Sequence, residues 1–213
     1  MSVGQEPIRG VRLTKAERRA LLISAAREVF VNYGYHAASM DEIAERAGVS
    51  KPVLYQHFEE GKLSLYIALV DLTGKALLTR LQEALASTVD NRQRVVATMQ
   101  AYFDFIEDPD GAYRLVFESD LSNEPSVREK IEFYEDECAV LVSQVIAEDT
   151  GLSAEEAMML AMGLTGMAET AARRWMREGS RVPKRTAINL VSRLAWRGIS
   201  GVPRAASPQP ETD

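Results

Sequence analysis

Residues 39–58 read SMDEIAERAGVSKPVLYQHF, and this stretch predicts two short helices around a tight turn. Ser39 is placed to cap the first helix, and Glu42 stands three residues later, where it completes a capping box. Gly48 comes just after that helix, at a position where a left-handed backbone costs glycine nothing. The stretch therefore carries both a start signal and a stop signal for its first helix.

The second helix of the stretch begins after Ser50, which is expected to cap it, with Pro52 in the first turn, where a missing N–H is harmless. Three apolar side chains anchor this helix: Val53, Leu54 and Phe58. Four side chains are left to point outward: Lys51, Tyr55, Gln56 and His57. The pattern predicts a helix-turn-helix, whose second helix enters the DNA major groove. An ordinary helical hairpin is the alternative, but Tyr, Gln and His beside a lysine favour DNA binding.

A supporting helix precedes the helix-turn-helix. Thr14 and Glu17 form a second capping-box pattern at its start, and Gly34 is expected to end it. Its apolar stripe recurs at helical spacing: Leu22, Ala26, Val29, Phe30 and Tyr33. Residues 14–60 therefore predict a three-helix DNA-binding domain.

Four stretches resemble the TetR family of bacterial one-component regulators: Phe30-x-x-x-Gly34-Tyr35 and residues 39–44, 47–51 and 54–58. The resemblance implies an all-helical ligand-binding and dimerisation domain over residues 61–201, and double-stranded operator DNA as a partner. The DNA-binding residues that it implies are Ser39, Ser50, Lys51, Pro52, Tyr55, Gln56, His57 and Lys62. The sequence departs from the usual family spacing by one residue, since three residues separate Phe58 from Lys62.

Composition and charge fit a helical, two-part protein. The 213 residues are 46% hydrophobic and 7% aromatic, with a net charge of −6. Residues 1–62 hold nine Lys or Arg against eight Asp or Glu, whereas the rest hold sixteen against twenty-three. The basic share therefore lies where a DNA-binding arm and first helix are expected. Residues 1–13 are predicted to be a flexible arm, and the proline-containing residues 202–213 a disordered tail.

Several classes of protein are disfavoured by what the sequence lacks. The single Cys138 excludes an internal disulfide and a thiolate zinc site, and it is interpreted as a core residue. His36 and His57 do not have the spacing of a metal pair. No signal peptide pattern opens the chain and its apolar runs are too short to cross a bilayer, so a cytoplasmic protein without membrane contact is expected. No cofactor is indicated, and no nucleophile–base pair or phosphate loop suggests an enzyme.

The rest of the chain predicts further helices, which makes the fold all-α. Their expected bounds are 62–88, 91–107, 113–118, 125–150, 154–178 and 183–198. By the resemblance, the last two pair with their copies in a homodimer. A dimer is also required geometrically, because two recognition helices must meet successive major grooves about 34 Å apart.

The helix over residues 154–178 interleaves methionines with Gly163 and Gly166. Each glycine inside a helix costs about 1 kcal/mol relative to alanine, which the close approach of another backbone or of a ligand can offset. A tunnel wall for a flexible apolar ligand and plain helix packing both remain open, and periodicity favours packing.

The effector domain resembles a lipid-responsive branch of the family, in which long-chain acyl-CoA weakens the hold on DNA. The resemblance is carried by residues 88–94, 102–107, 113–120, 163–167 and 195–198. The residues expected to line a channel, with Arg114 at the CoA phosphates, are Met99, Phe103, Ile106, Arg114, Leu115, Phe117, Leu141, Gly163 and Met167. The alternatives are a dry core at these positions, a repressor of an efflux gene that senses a hydrophobic drug, and an enzyme acting on acyl-CoA.

Overall fold

The computed structural model describes residues 13–108, 113, 120–177 and 181–199. These described residues form eight α-helices and one 3₁₀ turn (Asp120–Asn123), with no strand among them, which confirms the predicted all-α class. The helices are α1 (Lys15–Ala37), α2 (Met40–Arg46), α3 (Lys51–His57), α4 (Lys62–Ala86), α5 (Asn91–Ile106), α6 (Pro125–Thr150), α7 (Ala154–Arg177) and α8 (Lys184–Ile199). The predicted arm (except Leu13), the predicted helix over 113–118 (except Tyr113) and the predicted tail lie outside the described residues.

The chain divides into two compact units, residues 1–68 and 69–213. The sequence interpretation put the boundary before residue 61, whereas the first turns of α4 belong to the first unit. The reason is aromatic packing, since the ring of Tyr66 lies 5.5 Å from that of Phe30 and 5.3 Å from that of Tyr35. Tyr66 is fully buried, so its loss from this cluster would open the core of the first unit.

The first unit begins with the predicted capping box. The Thr14 N–H donates to the Glu17 carboxylate at 2.7 Å, and the Glu17 N–H donates to the Thr14 hydroxyl at 3.2 Å. Four residues of the predicted stripe are buried: Leu22, Ala26, Val29 and Phe30. The prediction that Tyr33 belongs to this stripe is wrong, since its side chain is 52% exposed. Gly34 breaks the helical phase with a φ of 75°, so that Tyr35 instead of Tyr33 returns to the ring of Phe30.

The second unit is built around small residues on α7. One face of α7 is buried and almost entirely small: Ala157, Ala161, Thr165, Ala168 and Ala172. Small side chains let neighbouring helices approach closely, and α7 packs against α6, α5 and α8. The helix bounds agree with the predictions to within about two residues, and Gly151 ends α6 in the left-handed conformation that glycine favours.

The apolar residues of α4 are not all buried. Leu69 and Leu81 are buried, but Leu72 is 52% exposed and Ala76 is exposed as well. The face of α4 that meets α6 carries Gly74, against which the ring of Tyr134 packs. A search for large apolar residues overlooks a contact face whose central residue has no side chain.

Candidate DNA-binding surface and effector cavity

The turn between α2 and α3 is fixed by backbone hydrogen bonds. The Val49 N–H donates to the Ala44 carbonyl and the Gly48 N–H to the Glu45 carbonyl, both at 3.0 Å. Together with the φ of 65° at Gly48, these two bonds make a Schellman motif, as the glycine predicts. At the start of α2, the Ser39 hydroxyl accepts from the Glu42 N–H at 3.1 Å. Within this described turn the reciprocal Glu42 bond is missing, so only half of the predicted capping box is formed.

One side of α3 is exposed, and it carries most of the predicted DNA contacts. The residues on this side are Lys51, Pro52, Tyr55 and Gln56, which follow the spacing i, i+1, i+4 and i+5 of one helix face. Leu54 and Phe58 are buried on the opposite side. The helix is thereby held by its apolar face, and its polar and aromatic face is open to a partner.

Two residues at the start of α3 differ in how they are engaged. Ser50 has the extended backbone of an N-cap, but its side chain makes no capping hydrogen bond, contrary to the prediction. Pro52 removes one of the two N–H groups that a capping side chain can bind. Lys51 forms an ion pair at 2.7 Å with Asp41, which lies in the first turn of α2.

His57 does not point outward, which corrects the sequence interpretation. Its side chain is partly buried, and its Nδ1 is buried without a hydrogen-bond partner among the described residues. Burial, followed by the positive charges of Lys15, Arg18 and Arg19, lowers the pKa of His57. The imidazole is therefore neutral at pH 7 in the protein without DNA.

Lys62 is also placed differently from its predicted phosphate contact. Its ammonium donates to the carbonyls of Tyr35 at 2.7 Å, His36 at 3.3 Å and Ala38 at 2.8 Å. A lysine has three N–H donors, so these carbonyls engage all of them. The ammonium also lies 4.5 Å from the centroid of the Tyr35 ring. In this structure Lys62 ties the first turn of α4 to the end of α1.

The second unit contains an apolar cavity of about 310 Å³, here called the first cavity. Its lining is Leu85, Asn91, Arg94, Val95, Thr98, Met99, Val142, Val145, Ile146, Asp149, Thr150, Leu164, Thr165 and Trp196. These residues come from α4, α5, α6, α7 and α8. The polar ones cluster where α5 begins and α6 ends. A ligand-sized cavity with an apolar body and a few convergent polar groups is typical of a small-molecule site.

A second cavity of about 180 Å³ lies in the same unit, and Thr165 borders both cavities. Its lining is more polar and includes Tyr102, Tyr134, Glu135, Cys138 and Glu169. Burial raises the pKa of the Cys138 thiol to about 12, so the thiol stays protonated. This agrees with the interpretation of Cys138 as a core residue.

The predicted ligand residues are dispersed over the second unit. Met99 lines the first cavity and Ile106 the second, while Phe103 is fully buried with its ring 5.5 Å from that of Trp175. Leu141 and Met167 are partly buried beside the core and line neither cavity. Arg114, Leu115 and Phe117 lie outside the described residues.

Gly163 is not a channel wall. It is exposed, and a Cβ built on it would meet only open space. Gly163 lies on α7, and large apolar side chains of α7 and α8 are exposed as well: Met159 by 78%, Met162 by 55%, Leu190 by 59% and Leu194 by 65%. Of the two interpretations that the sequence left open, the packing of another helix against this face fits the position of Gly163 better than a tunnel does.

Sequence reasoning missed Arg94, the residue that brings a positive charge to the first cavity. Arg94 stands in phase with Thr98 and Tyr102 on α5, that is, on the face that is otherwise buried. A charged residue in phase with an apolar stripe is a signal that the sequence contains. Trp196 and the α6 residues Val142 and Ile146 carry no such signal, because core and cavity residues share one periodicity.

A helix-turn-helix unit joined to an all-helical unit with a ligand-sized cavity defines a one-component transcriptional regulator. The profile of bacterial regulatory proteins of the tetR family matches residues 22–69, and the chain belongs to the TetR family. It is 46% identical over 199 residues to the HTH-type transcriptional activator FasR of Mycolicibacterium smegmatis, a match that covers 93% of this chain and 90% of that protein. The family consists of transcriptional regulators and not of enzymes, as the sequence predicts.

Solved structures share the fold. A TetR-like transcriptional regulator from Rhodococcus sp. RHA1 has a TM-score of 0.67 at 26% identity and covers 90% of this chain and 100% of its own. The fatty acid degradation regulator FadR from Bacillus halodurans has a TM-score of 0.68 at 19% identity and covers 91% and 100%. At 19% identity, the similarity to FadR concerns the fold alone. Within the described part of the chain, no helix is long and apolar enough to cross a membrane.

Proposed function

We propose that this DNA-binding regulator controls genes of lipid or fatty acid metabolism, and that a long-chain acyl-CoA or similar apolar effector releases it from its operator. The observation that carries the proposal is the apolar first cavity, which is lined by residues of five helices of the effector unit. The resemblance of residues 88–94 and 102–107 to a lipid-responsive branch supports the same effector. So does the 46% identity to FasR, since it extends through the effector unit.

On the DNA side, the exposed face of α3 enters the major groove. Tyr55 and Gln56 lie in the middle of that face and reach base edges or the sugar–phosphate backbone. Ser39, Ser50 and Lys51 lie at the first turns of α2 and α3, where hydroxyl and ammonium groups suit phosphate contacts. Lys51 exchanges Asp41 for a phosphate when DNA binds. Lys62 acts indirectly, by holding the end of α1.

The functional unit is a homodimer. Exposed apolar side chains of α7 and α8 make up a candidate interface, here called the α7/α8 face: Met159, Met162, Leu190 and Leu194. Apolar side chains exposed in this way mark an interaction surface. A symmetric pair of these helices gives the isologous contact that a palindromic operator requires.

Release from DNA follows from a population shift. An effector that binds one conformation of the dimer more tightly moves the balance by its differential affinity alone. The α4 helix begins in the first unit and continues into the second, so it is the element through which this preference is transmitted.

The experiment is a gel shift on DNA from the protein's own genome upstream of fatty acid synthase genes, titrated with acyl-CoAs from short to long. Release by long chains alone supports the proposal. Binding without release at any chain length discards the acyl-CoA effector but keeps the DNA-binding role. Failure to bind this DNA, with binding upstream of a neighbouring efflux gene, favours the drug-sensing alternative.

The Tyr55→Ala variant supplies the control for DNA contact in this assay. We expect operator affinity to fall at least tenfold, because a hydrogen-bonding and stacking side chain of the α3 face is lost. The variant should remain a folded dimer, since Tyr55 lies outside the buried core of the first unit. Unchanged affinity would place the recognition surface elsewhere.

A further inference from the structure

We infer that Arg94 is the head-group anchor of the first cavity. The cavity then takes an amphipathic molecule with its acyl tail inside and an anionic head, a carboxylate or a phosphate, at the rim. The inference rests on the proposed lipid effector but goes beyond it by naming the residue that selects the head group.

The charge of the rim supports this assignment. Among the described residues that line the first cavity, Arg94 alone is positively charged, and the body of the cavity is apolar. Its side chain is only 22% exposed, so the charge is partly removed from water. An ion pair or charged hydrogen bond at such a place is stronger than at an open surface.

The guanidinium is held in position from behind. Its Nε donates to the Thr88 carbonyl at 2.9 Å, and its Nη1 donates to the Asn91 side chain at 3.0 Å. Thr88 lies just before α5 and Asn91 is its first residue, so the orientation of the arginine is fixed without a ligand. A guanidinium has five N–H donors in a rigid fork, and the remaining donors suit the two oxygens of a carboxylate or phosphate.

Asp149 occupies the place of the ligand anion. Its carboxylate lies 3.4 Å from the Arg94 Nη1, which makes it the longest of the three contacts. The Asp149 side chain is 33% exposed and stands near the C-terminal end of α6, so it can turn to solvent when a ligand arrives. Asp149 therefore competes with the ligand anion for Arg94, and a neutral molecule does not displace it. Exchange of Asp149 for a ligand also breaks the ion pair between α5 and α6.

The test uses the full-length protein and measures direct binding by calorimetry, without DNA. The probes are decanoate, 1-decanol and decylamine, which share one tail and differ in head charge, together with decanoyl-CoA. For Arg94→Gln we expect decanoate affinity to fall roughly tenfold or more, the order of a charged hydrogen bond, and 1-decanol affinity to stay within about threefold. For Asp149→Asn we expect decanoate to bind more tightly, while 1-decanol is again little affected.

Two further variants separate head-group recognition from general damage. Arg92→Gln removes a positive charge from an exposed position of the same helix and should leave all affinities unchanged. Arg94→Lys keeps the charge and should retain part of the preference for decanoate over 1-decanol. Equal losses of anionic-probe and 1-decanol binding in Arg94→Gln, or no loss for either decanoate or decanoyl-CoA, would overturn the inference. Arg94 dependence for decanoate assigns the carboxylate as the head, and dependence confined to decanoyl-CoA assigns the phosphates.

This design keeps the inference distinct from the proposed function. Arg94-dependent binding of the anionic probes without release of operator DNA would retain the anchor and reject the effector role. Release of operator DNA by acyl-CoA that is equally strong in Arg94→Gln would retain the effector role and reject the anchor.

Discussion

The ring of Tyr134 on α6 lies directly on Gly74 of α4, so that a Cβ at position 74 would overlap the ring carbons. The Tyr134 hydroxyl donates at 2.6 Å to the carboxylate of Asp71, which lies on α4 one turn before Gly74. Tyr134 is 3% exposed, and it also borders the second cavity. A glycine in a helix costs about 1 kcal/mol relative to alanine, and this close contact offsets that cost.

Gly74→Ala should destabilise the protein even though alanine is the better helix former. The methyl group forces the Tyr134 ring out of its place, and overpacking of this kind costs about 1–3 kcal/mol. The free energy of urea unfolding measures the effect. Gly198→Ala is the control, since a Cβ there meets open space, and it should be neutral or slightly stabilising. Equal behaviour of the two variants would mean that α6 shifts freely on α4.

Tyr134→Phe should cost about 1–2 kcal/mol, because it removes a hydrogen bond to a charged group and keeps the ring. Asp71 also pairs with Lys75 at 2.5 Å and Lys130 at 3.4 Å, so its carboxylate retains partners. A double-mutant cycle with Asp71→Asn isolates the contribution of the bond from the rest of the cluster. A coupling energy near zero would reduce the contact between Tyr134 and α4 to ring packing alone.

The elements of this fold follow from local signals in the sequence. Many helix bounds follow from capping serines and threonines, from acidic residues three positions later and from terminal glycines, although Ser50 makes no capping bond and α1 continues past Gly34. Ser153 and Glu156, for example, form the capping box at the start of α7, with bonds of 2.9 and 3.3 Å. The exposed face of α3 follows from the same local pattern, because two buried anchors fix its rotation.

The cavity did not follow from the sequence. A side chain that lines a cavity and one that fills a core share the same helical phase. The sequence therefore does not distinguish Met99, which lines the first cavity, from Phe103, which is fully buried in the core. Gly163 was misplaced for a related reason, since a glycine that admits a ligand and one that admits a second helix leave the same gap. The surroundings of His57 and Lys62 could not be predicted from the sequence, because they are supplied by α1, far away in the chain.

His57 should make the stability of the first unit sensitive to mild acid. Its pKa is lowered in the folded state, so the unfolded chain binds the proton more readily. Stability is therefore lost as the pH falls through the ordinary histidine pKa of about 6.5 towards the lower folded value. Comparison of urea midpoints at pH 7.5 and 5.5 should show a smaller difference in His57→Gln than in the unaltered protein. The same difference in both would assign the acid sensitivity to other groups.

Leu194→Asp should separate the dimer. The leucine is 65% exposed on the α7/α8 face, and a buried aspartate without a partner opposes association. We expect a monomer in analytical ultracentrifugation and a weakened hold on a two-half-site operator. Val89→Asp, at a 90% exposed position outside that face, is the matched control and should remain dimeric. A dimeric Leu194→Asp would move the interface to another surface.

Lys62→Met should lower the stability of the first unit, whereas Lys51→Met should weaken DNA binding. Lys62 satisfies three carbonyls near the end of α1, so its loss should destabilise the first unit by roughly 1–3 kcal/mol. Lys51 forms an exposed ion pair, so its loss should hardly change stability. In DNA titrations at several salt concentrations, a lost phosphate contact lowers the slope of log affinity against log salt by about one. We expect that change for Lys51→Met alone. The same reduction in Lys62→Met would show that the ammonium leaves its carbonyls for a phosphate when DNA binds.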